Sequence, residues 1–142
     1  MDERYPIGAT SSCAVSVLRQ ASAEKGYDGW AAAVGLLSGD ATVRVPGHYA
    51  GLLADVLRSA DERFAPGARL ARDEYLDVTG LLVHGIETVA LSSTARSPVR
   101  VTVEVPRDEL DDLAGLLTRA QELIEELRQG LGLVPDSLPE AL

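Results

Sequence analysis

A strand followed by a helix occurs twice in this chain, sixty residues apart, and no other sequence feature restricts the fold as strongly. Residues 42–46 read Thr-Val-Arg-Val-Pro, and residues 102–106 read Thr-Val-Glu-Val-Pro. Alternating valines predict a strand with one buried face, and proline suits the first turn of a following helix because no N–H donor is needed there. The pattern therefore predicts a duplicated β-α unit. In the helical parts, Leu53, Ala54, Leu57, Ala60 and Glu62 match Leu113, Ala114, Leu117, Ala120 and Glu122.

Hydrophobic spacing assigns the remaining elements around this unit. Ala14, Val17 and Leu18 lie three and four residues apart, which predicts a helix that begins after hydroxyl capping residues and ends at Gly26. The alanines within 28–38 also favour a helix, but analogy with the second copy favours a strand. The predicted elements are a helix at 12–25, strands at 30–37 and 41–45, a helix at 47–64, a helix at 69–85, strands at 88–91 and 99–105, and a helix at 107–129.

These elements predict an α+β fold in a single domain, 1–142. Two helix-hairpin-helix halves, at about 12–65 and 70–129, would share one mostly antiparallel four-stranded sheet with helices packed on it. The halves are expected to share a core because an isolated hairpin is only marginally stable. The C-terminal tail, 130–142, has two prolines, no period and several aliphatic residues, so we expect it to dock on its own domain or on a neighbour.

Charge and composition narrow the possible partners. The formal net charge is -9, from 22 acidic and 13 basic side chains, so the long-range field repels phosphate backbones and anionic lipid. Direct nucleic-acid binding and membrane contact are therefore not expected. Cys13 is the single cysteine, no stretch approaches the roughly 20 apolar residues of a membrane span, and residues 1–6 lack the features of a cleaved leader. We expect a soluble, cytoplasmic protein.

The turn after Pro46 is the best candidate for a ligand site. Gly47 and Gly51 would let a ligand approach the backbone, the first helical turn offers free N–H groups, and His48 and Tyr49 could add side-chain donors. A small anion or a nucleotide phosphate would suit such a turn. The sequence lacks a P-loop lysine, however, and an ordinary strand-proline-glycine-helix junction has the same appearance. In the second copy Arg107-Asp108-Glu109 replace Gly47-His48-Tyr49, and we expect any local function to lie where the copies differ.

Two further groups could carry chemistry but are assigned none. His84 and the carboxylates of Asp73, Glu74 and Asp77 could lie on one helix and bind a metal, but their spacing matches no closed metal site. Cys13, near the predicted start of a helix, could be a nucleophile, but a lone cysteine among apolar residues is more often a small buried side chain. We therefore predict no catalytic residue, no metal and no cofactor, and leave open whether the protein is an enzyme.

The helix predicted at 107–129 has the longest apolar stripe in the chain. Such a stripe suits either a long helix packed across a sheet or a helical interface with another subunit, and we take it as a candidate interface. Its members are Leu110, Leu113, Leu117, Ile124, Leu127 and Leu131.

Three functional hypotheses follow from these features. The favoured one is a non-enzymatic protein-protein interaction or regulatory protein that forms a homodimer or belongs to a larger complex. The first alternative is a regulator or enzyme that binds a small anion or nucleotide at the Gly47–Gly51 turn. The second is an acidic inhibitor that mimics nucleic acid and occupies a basic groove on its partner.

Overall fold

The computed structural model describes residues 3–21, 30–94 and 101–129 as an α+β fold with two antiparallel four-stranded sheets and two helices. Each sheet is a meander in which neighbours along the chain are neighbours in the sheet. The first sheet contains β1 (Glu3–Ala9), β2 (Ala14–Ala21), β3 (Trp30–Ser38) and β4 (Ala41–Pro46), and it is followed by α1 (Ala50–Glu62). The second contains β5 (Arg69–Arg72), β6 (Leu76–Val83), β7 (Ile86–Ser93) and β8 (Thr102–Pro106), and it is followed by α2 (Leu110–Gln129).

The predicted strand-to-helix junctions are confirmed. In β4 the side chains of Val43 and Val45 are buried and that of Arg44 is exposed, as the period of two requires. Pro46 and Pro106 have φ near -58° and -57°, and each leads into one 3-10 turn before the α-helix begins. The two turns are Gly47–Tyr49 and Arg107–Glu109. The predicted hairpin at 30–37 and 41–45 is also confirmed, as β3 and β4.

The helix predicted at 12–25 is wrong, because its described part is the central strand β2. β2 pairs with β1 on one side and with β3 on the other. Val15 and Val17 point into the core at the period of a strand, while Leu18, which fitted a helical stripe, lies on the other face. The hydroxyl residues expected to cap a helix form the β1–β2 turn instead, where the N–H of Thr10 donates to the carbonyl of Cys13 at 2.8 Å.

The helix predicted at 69–85 is also wrong, because this segment forms β5, a turn and β6. The carboxylate of Asp73 accepts the N–H groups of Tyr75 and Leu76 at 2.8 and 2.9 Å and closes the turn. At the other end of β6, His84 and Gly85 have φ of 52° and 79°, as a two-residue hairpin turn of the primed type requires. Gly85 was interpreted as a helix end, but it is a hairpin residue.

The sheets are two and not the single shared sheet that the sequence predicted. Two further strands precede each predicted hairpin: β1 and β2 in the first half, and β5 and β6 in the second. Each half is therefore four strands followed by one helix, and not helix-hairpin-helix. Both sheets and both helices still contribute to one hydrophobic core. The helices run antiparallel, since Gly51 lies against Gln121 and Asp61 lies against Arg107. Within the described residues, no helix is long and apolar enough to cross a membrane.

Candidate functional site

The Gly47–Gly51 turn is closely packed at both of its glycines. A Cβ atom built on Gly47 would lie 2.9 Å from the carbonyl oxygen of Ala32, so this glycine is needed for contact with β3. A Cβ on Gly51 would overlap the end of the Gln121 side chain. Tyr49 is buried, and only His48 of the four predicted ligand residues is exposed.

Tyr49 connects this turn to a carboxylate of the second sheet. Its hydroxyl donates a short hydrogen bond to Asp73, whose other oxygen holds the β5–β6 turn. Burial and this hydrogen bond raise the pKa of Tyr49 above its usual value. Partial burial acts to raise the pKa of Asp73, but the bonds from Tyr49, Leu76 and Tyr75 outweigh it and lower that pKa. A carboxylate at this position makes the turn unfavourable for an anion.

An equivalent contact joins the second 3-10 turn to the first sheet. Glu109, which corresponds to Tyr49 in the repeat, accepts hydrogen bonds from the hydroxyls of Ser11 and Ser12 at 2.7 and 2.9 Å and from the N–H of Ser12 at 3.2 Å. Partial burial acts to raise the pKa of Glu109, but the bonds from Thr10, Ser11 and Ser12 lower it overall. Each 3-10 turn therefore bonds to the first hairpin turn of the opposite sheet.

We expect the Glu109 contact to make the free energy of unfolding depend on pH in the acid range. A carboxyl whose pKa is lower in the folded state stabilises the fold above its unfolded pKa and loses that contribution as pH falls through the folded value. The free energy of unfolding should therefore fall as pH drops below about 4.5, the ordinary value for this group. Glu109→Gln should be less stable at neutral pH and should show a shallower acid slope in denaturant titrations.

Glu104→Gln is the matched control. Glu104 is exposed on β8, and its substitution removes the same charge without removing a cross-fold contact. It should keep the wild-type acid slope. Asp73 contributes a slope of the same sign, so Glu109→Gln should reduce the slope without abolishing it. Equal slopes in wild type and Glu109→Gln would contradict the role assigned to this contact.

The structure does not bring the predicted metal-binding residues together. His84 and Asp73 lie beyond opposite ends of β6, about 25 Å apart at 3.3 Å per strand residue. Asp77 is buried on β6 beside Arg69, whose Nε lies 3.3 Å from its carboxylate. Among the residues that the structure describes, no group of three or more His, Cys, Asp or Glu side chains could hold a metal ion.

Cys13 is buried beneath the β1–β2 turn. Burial, and then the charge of Glu109, raise the pKa of its thiol to about 11. The thiol is therefore protonated at neutral pH, and a protonated, buried thiol is a poor nucleophile.

The apolar stripe of α2 faces the core of its own chain. Leu110, Leu113 and Leu117 are fully buried, and Ile124 and Leu127 are almost so. The helix packs against α1 and against β1 and β2 of the first sheet. Five of the six predicted interface residues therefore have an intrachain role, and the sixth, Leu131, lies outside the described residues.

Among the described residues, the large apolar side chains that are exposed outside the helices lie at the tip of the β6–β7 hairpin. Leu82 and Ile86 are 56% and 57% exposed. Ile86 lines an open groove of about 530 Å³ between the hairpin tip, the end of α1 and the start of α2, which we call the hairpin-tip groove. Its polar lining consists of Asp61, Glu87, Arg107, Asp108 and Asp111.

Arg107 forms ion pairs with residues on two walls of the hairpin-tip groove, the end of α1 and the start of β7. Its Nε lies 2.8 Å from the carboxylate of Asp61, its Nη2 donates to the Asp61 carbonyl at 2.7 Å, and its Nη1 lies 3.1 Å from Glu87. The guanidinium also lies 4.9 Å from the centre of the Phe64 ring, within cation-π range. Two of the four groove carboxylates are thus paired by the chain itself.

Asp108 and Asp111 remain available at the same groove. Within the described parts of the chain, Asp108 makes no hydrogen bond or ion pair. In the part of the chain that the structure describes, Asp111 has only a long contact, 3.9 Å from Nε of Arg58. Arg107 and Asp108 stand where the repeat copies differ after each proline, whereas Leu82 and Ile86 were not among the predicted site residues because their segment was assigned to a helix and its end.

Comparison with models of known protein families gave no match, and a search of curated proteins found none with significant similarity.

Proposed function

We propose that the protein is a non-enzymatic protein-binding module that uses the hairpin-tip groove to bind a basic partner. The observation that carries this proposal is the position of the exposed Ile86 side chain on the wall of an acidic groove, with a second exposed aliphatic side chain, Leu82, on the same hairpin. Exposed apolar groups rimmed by polar residues are typical of protein interaction sites, where a few buried anchors supply most of the binding energy.

Charge supports a basic partner. Four carboxylates and one guanidinium line the groove, and the whole chain carries a formal charge of -9. An acidic surface attracts a basic one at long range and rejects an acidic one at contact. Two copies of this chain would repel each other at the groove, so we favour a partner of different composition over a homodimer.

The titratable side chains whose pKa values are shifted by buried or cross-fold contacts support a non-enzymatic role. The Tyr49–Asp73 and Glu109–Ser12 bonds join opposite halves of the fold, and the Cys13 thiol is held in its protonated form. An anion or nucleotide site at the Gly47–Gly51 turn gains no support from the geometry, since that turn is packed against β3 and bonded to a carboxylate.

We also propose that the two halves arose by internal duplication and that the protein is cytoplasmic. The shared order of four strands, a 3-10 turn and a helix supports duplication, as do the reciprocal contacts of Tyr49 and Glu109. The single free and buried cysteine fits a reducing compartment.

The double variant Leu82→Ser, Ile86→Ser should bind the partner at least about tenfold more weakly than wild type, since a tenfold change needs only 1.4 kcal/mol. Both side chains are largely exposed, so the fold should be unaffected. The measurement is quantitative capture from extracts of the source cells, with immobilised wild type and variant compared at equal loading.

Leu52→Ser is the matched control, because Leu52 is 58% exposed on α1 and does not line this groove. It should retain wild-type binding. Salt separates this proposal from the acidic mimic of nucleic acid, because binding by charge alone should disappear at high salt, whereas apolar anchoring leaves a residual affinity. Equal capture by wild type and the double variant would refute the proposed surface.

A further inference from the structure

A second groove continues from the hairpin-tip groove along α2. It has a volume of about 510 Å³ and lies between α1, α2 and the end of β1, and we call it the helix groove. Asp111 lines both grooves, so the two adjoin at this residue. Its lining includes Thr10, Arg58, Gly115, Leu116 and Arg119.

The two grooves differ in charge. The acidic side chains of the hairpin-tip groove outnumber its single arginine, whereas Arg58 and Arg119 balance Asp111 and Asp112 in the helix groove. Arg119 makes no hydrogen bond or ion pair within residues 3–21, 30–94 and 101–129. Within the same residues, Arg58 makes only long contacts of 3.9 Å to Asp55 and Asp111. Arg119 is therefore available at the far end of the helix groove, whereas Arg58 lies beside Asp111, where the two grooves adjoin.

Gly115 forms part of the floor of the helix groove. Glycine is, after proline, the least favourable residue within a helix. A Cβ atom built on Gly115 meets no atom of the described residues within 4 Å, so packing inside this part of the chain gives no reason for a glycine. A backbone that lies close above the helix would give one, because only glycine leaves the floor flat.

We propose that both grooves together bind one extended segment of a basic partner protein, and this inference rests on the proposed function. The segment places an apolar residue against Ile86, a lysine or arginine between Asp108 and Asp111, its backbone over Gly115, and an aspartate or glutamate at Arg119. Asp61 and Glu87 do not bind the partner's basic side chain, because Arg107 already pairs with both carboxylates.

Helix geometry sets the spacing of the two charged residues. Asp111, Gly115 and Arg119 follow one another at intervals of four along one face of α2. At 1.5 Å per residue, Asp111 and Arg119 lie about 12 Å apart along the axis, which an extended chain covers in about four residues. The chain's own residues 130–142 contain no lysine or arginine and do not fit this charge pattern.

The test uses a phage library of random 12-residue peptides selected against the full-length protein. Enriched peptides should carry an aliphatic residue next to Lys or Arg, with Asp or Glu about four residues away. Gly115→Leu should weaken the binding of these peptides at least tenfold, because leucine fills the open space above the helix while favouring helix formation. Gln121→Leu, at an exposed position of α2 outside both grooves, should leave it unchanged.

The outcomes separate this inference from the proposed function. Peptides that bind wild type and Gly115→Leu equally but lose affinity for Leu82→Ser, Ile86→Ser would overturn the two-groove segment and leave the hairpin-tip site intact. Peptides indifferent to both changes, or no enrichment at all, would overturn both proposals. Concentration-dependent dimerisation of the wild type that Gly115→Leu abolishes would assign the groove to a second copy of the chain and also overturn the inference.

Discussion

Replacing Leu117 with alanine should lower the free energy of unfolding by about 2–5 kcal/mol, the usual cost of removing a large aliphatic side chain from a closed core. Leu117 is fully buried on α2 and belongs to the core shared by both sheets and both helices. The measurement is urea unfolding followed by circular dichroism, with light scattering on the folded protein before and after the substitution.

Leu52→Ala is the control for Leu117→Ala, since it removes the same atoms from an exposed position on α1. Its effect should stay within about 0.5 kcal/mol. Neither substitution should change the oligomeric state. If Leu117→Ala left stability unaltered but dissociated a dimer, α2 would be a subunit interface, as its apolar stripe alone had allowed.

Gly80→Ala should destabilise the fold by about 1–3 kcal/mol or more, because a new Cβ has no room there. It would lie 2.4 Å from the carbonyl oxygen of Ala65 and 3.2 Å from the Phe64 ring. Neither group can easily withdraw, since the backbone of Gly80 is hydrogen-bonded to Gly67 and Ala68 at 2.8 and 2.9 Å. Thermal and urea unfolding of the purified variant would measure the loss.

Gly51→Ala is the informative comparison for Gly80→Ala. The atom that its Cβ would overlap is the end of the exposed Gln121 side chain, which can rotate away. Alanine is also the better helix former, so this variant should be as stable as wild type or slightly more stable. A large loss at position 51 would show that this glycine has a role that its packing does not explain.

Local signals in the sequence were enough to predict the two strand-to-helix junctions. The alternation of Val43 with Val45, and of Val103 with Val105, reports one buried face of a strand without reference to any partner. Pro46 and Pro106 limit φ by their own covalent geometry. Both signals act within a few residues, so they do not depend on how the rest of the chain folds.

The same reasoning failed for β2 and β6, because apolar residues on both faces of a strand can imitate a helical stripe. β2 is covered on one face by the core, and its other face carries Leu18, which is also buried. In β6, Leu76 and Val78 point inward while Leu81 lies on the outer face. A central strand with apolar residues on both faces has no clean period of two.

The candidate site was only partly accessible to sequence reasoning. The contrast between Gly47-His48 and Arg107-Asp108 indicated where the copies differ, and Arg107 and Asp108 do line the hairpin-tip groove. Nothing local could show that Ile86 would lie beside them, because the β6–β7 pairing brings the hairpin tip next to the start of α2.

The duplicated strand-proline-helix unit, its buried faces and the acidic character of the surface follow from residue types and short-range spacing. Strand pairing, the division into two sheets and the burial of the α2 stripe depend on contacts between residues far apart in the chain. The hydrophobic effect is non-directional, so it does not determine which surface an apolar stripe packs against. A stripe such as that of Leu110 and Leu117 therefore fits a core and an interface equally well. Packing against α1 and the first sheet buries Leu110 and Leu117 within the chain, whereas Leu82 and Ile86 stay on the surface.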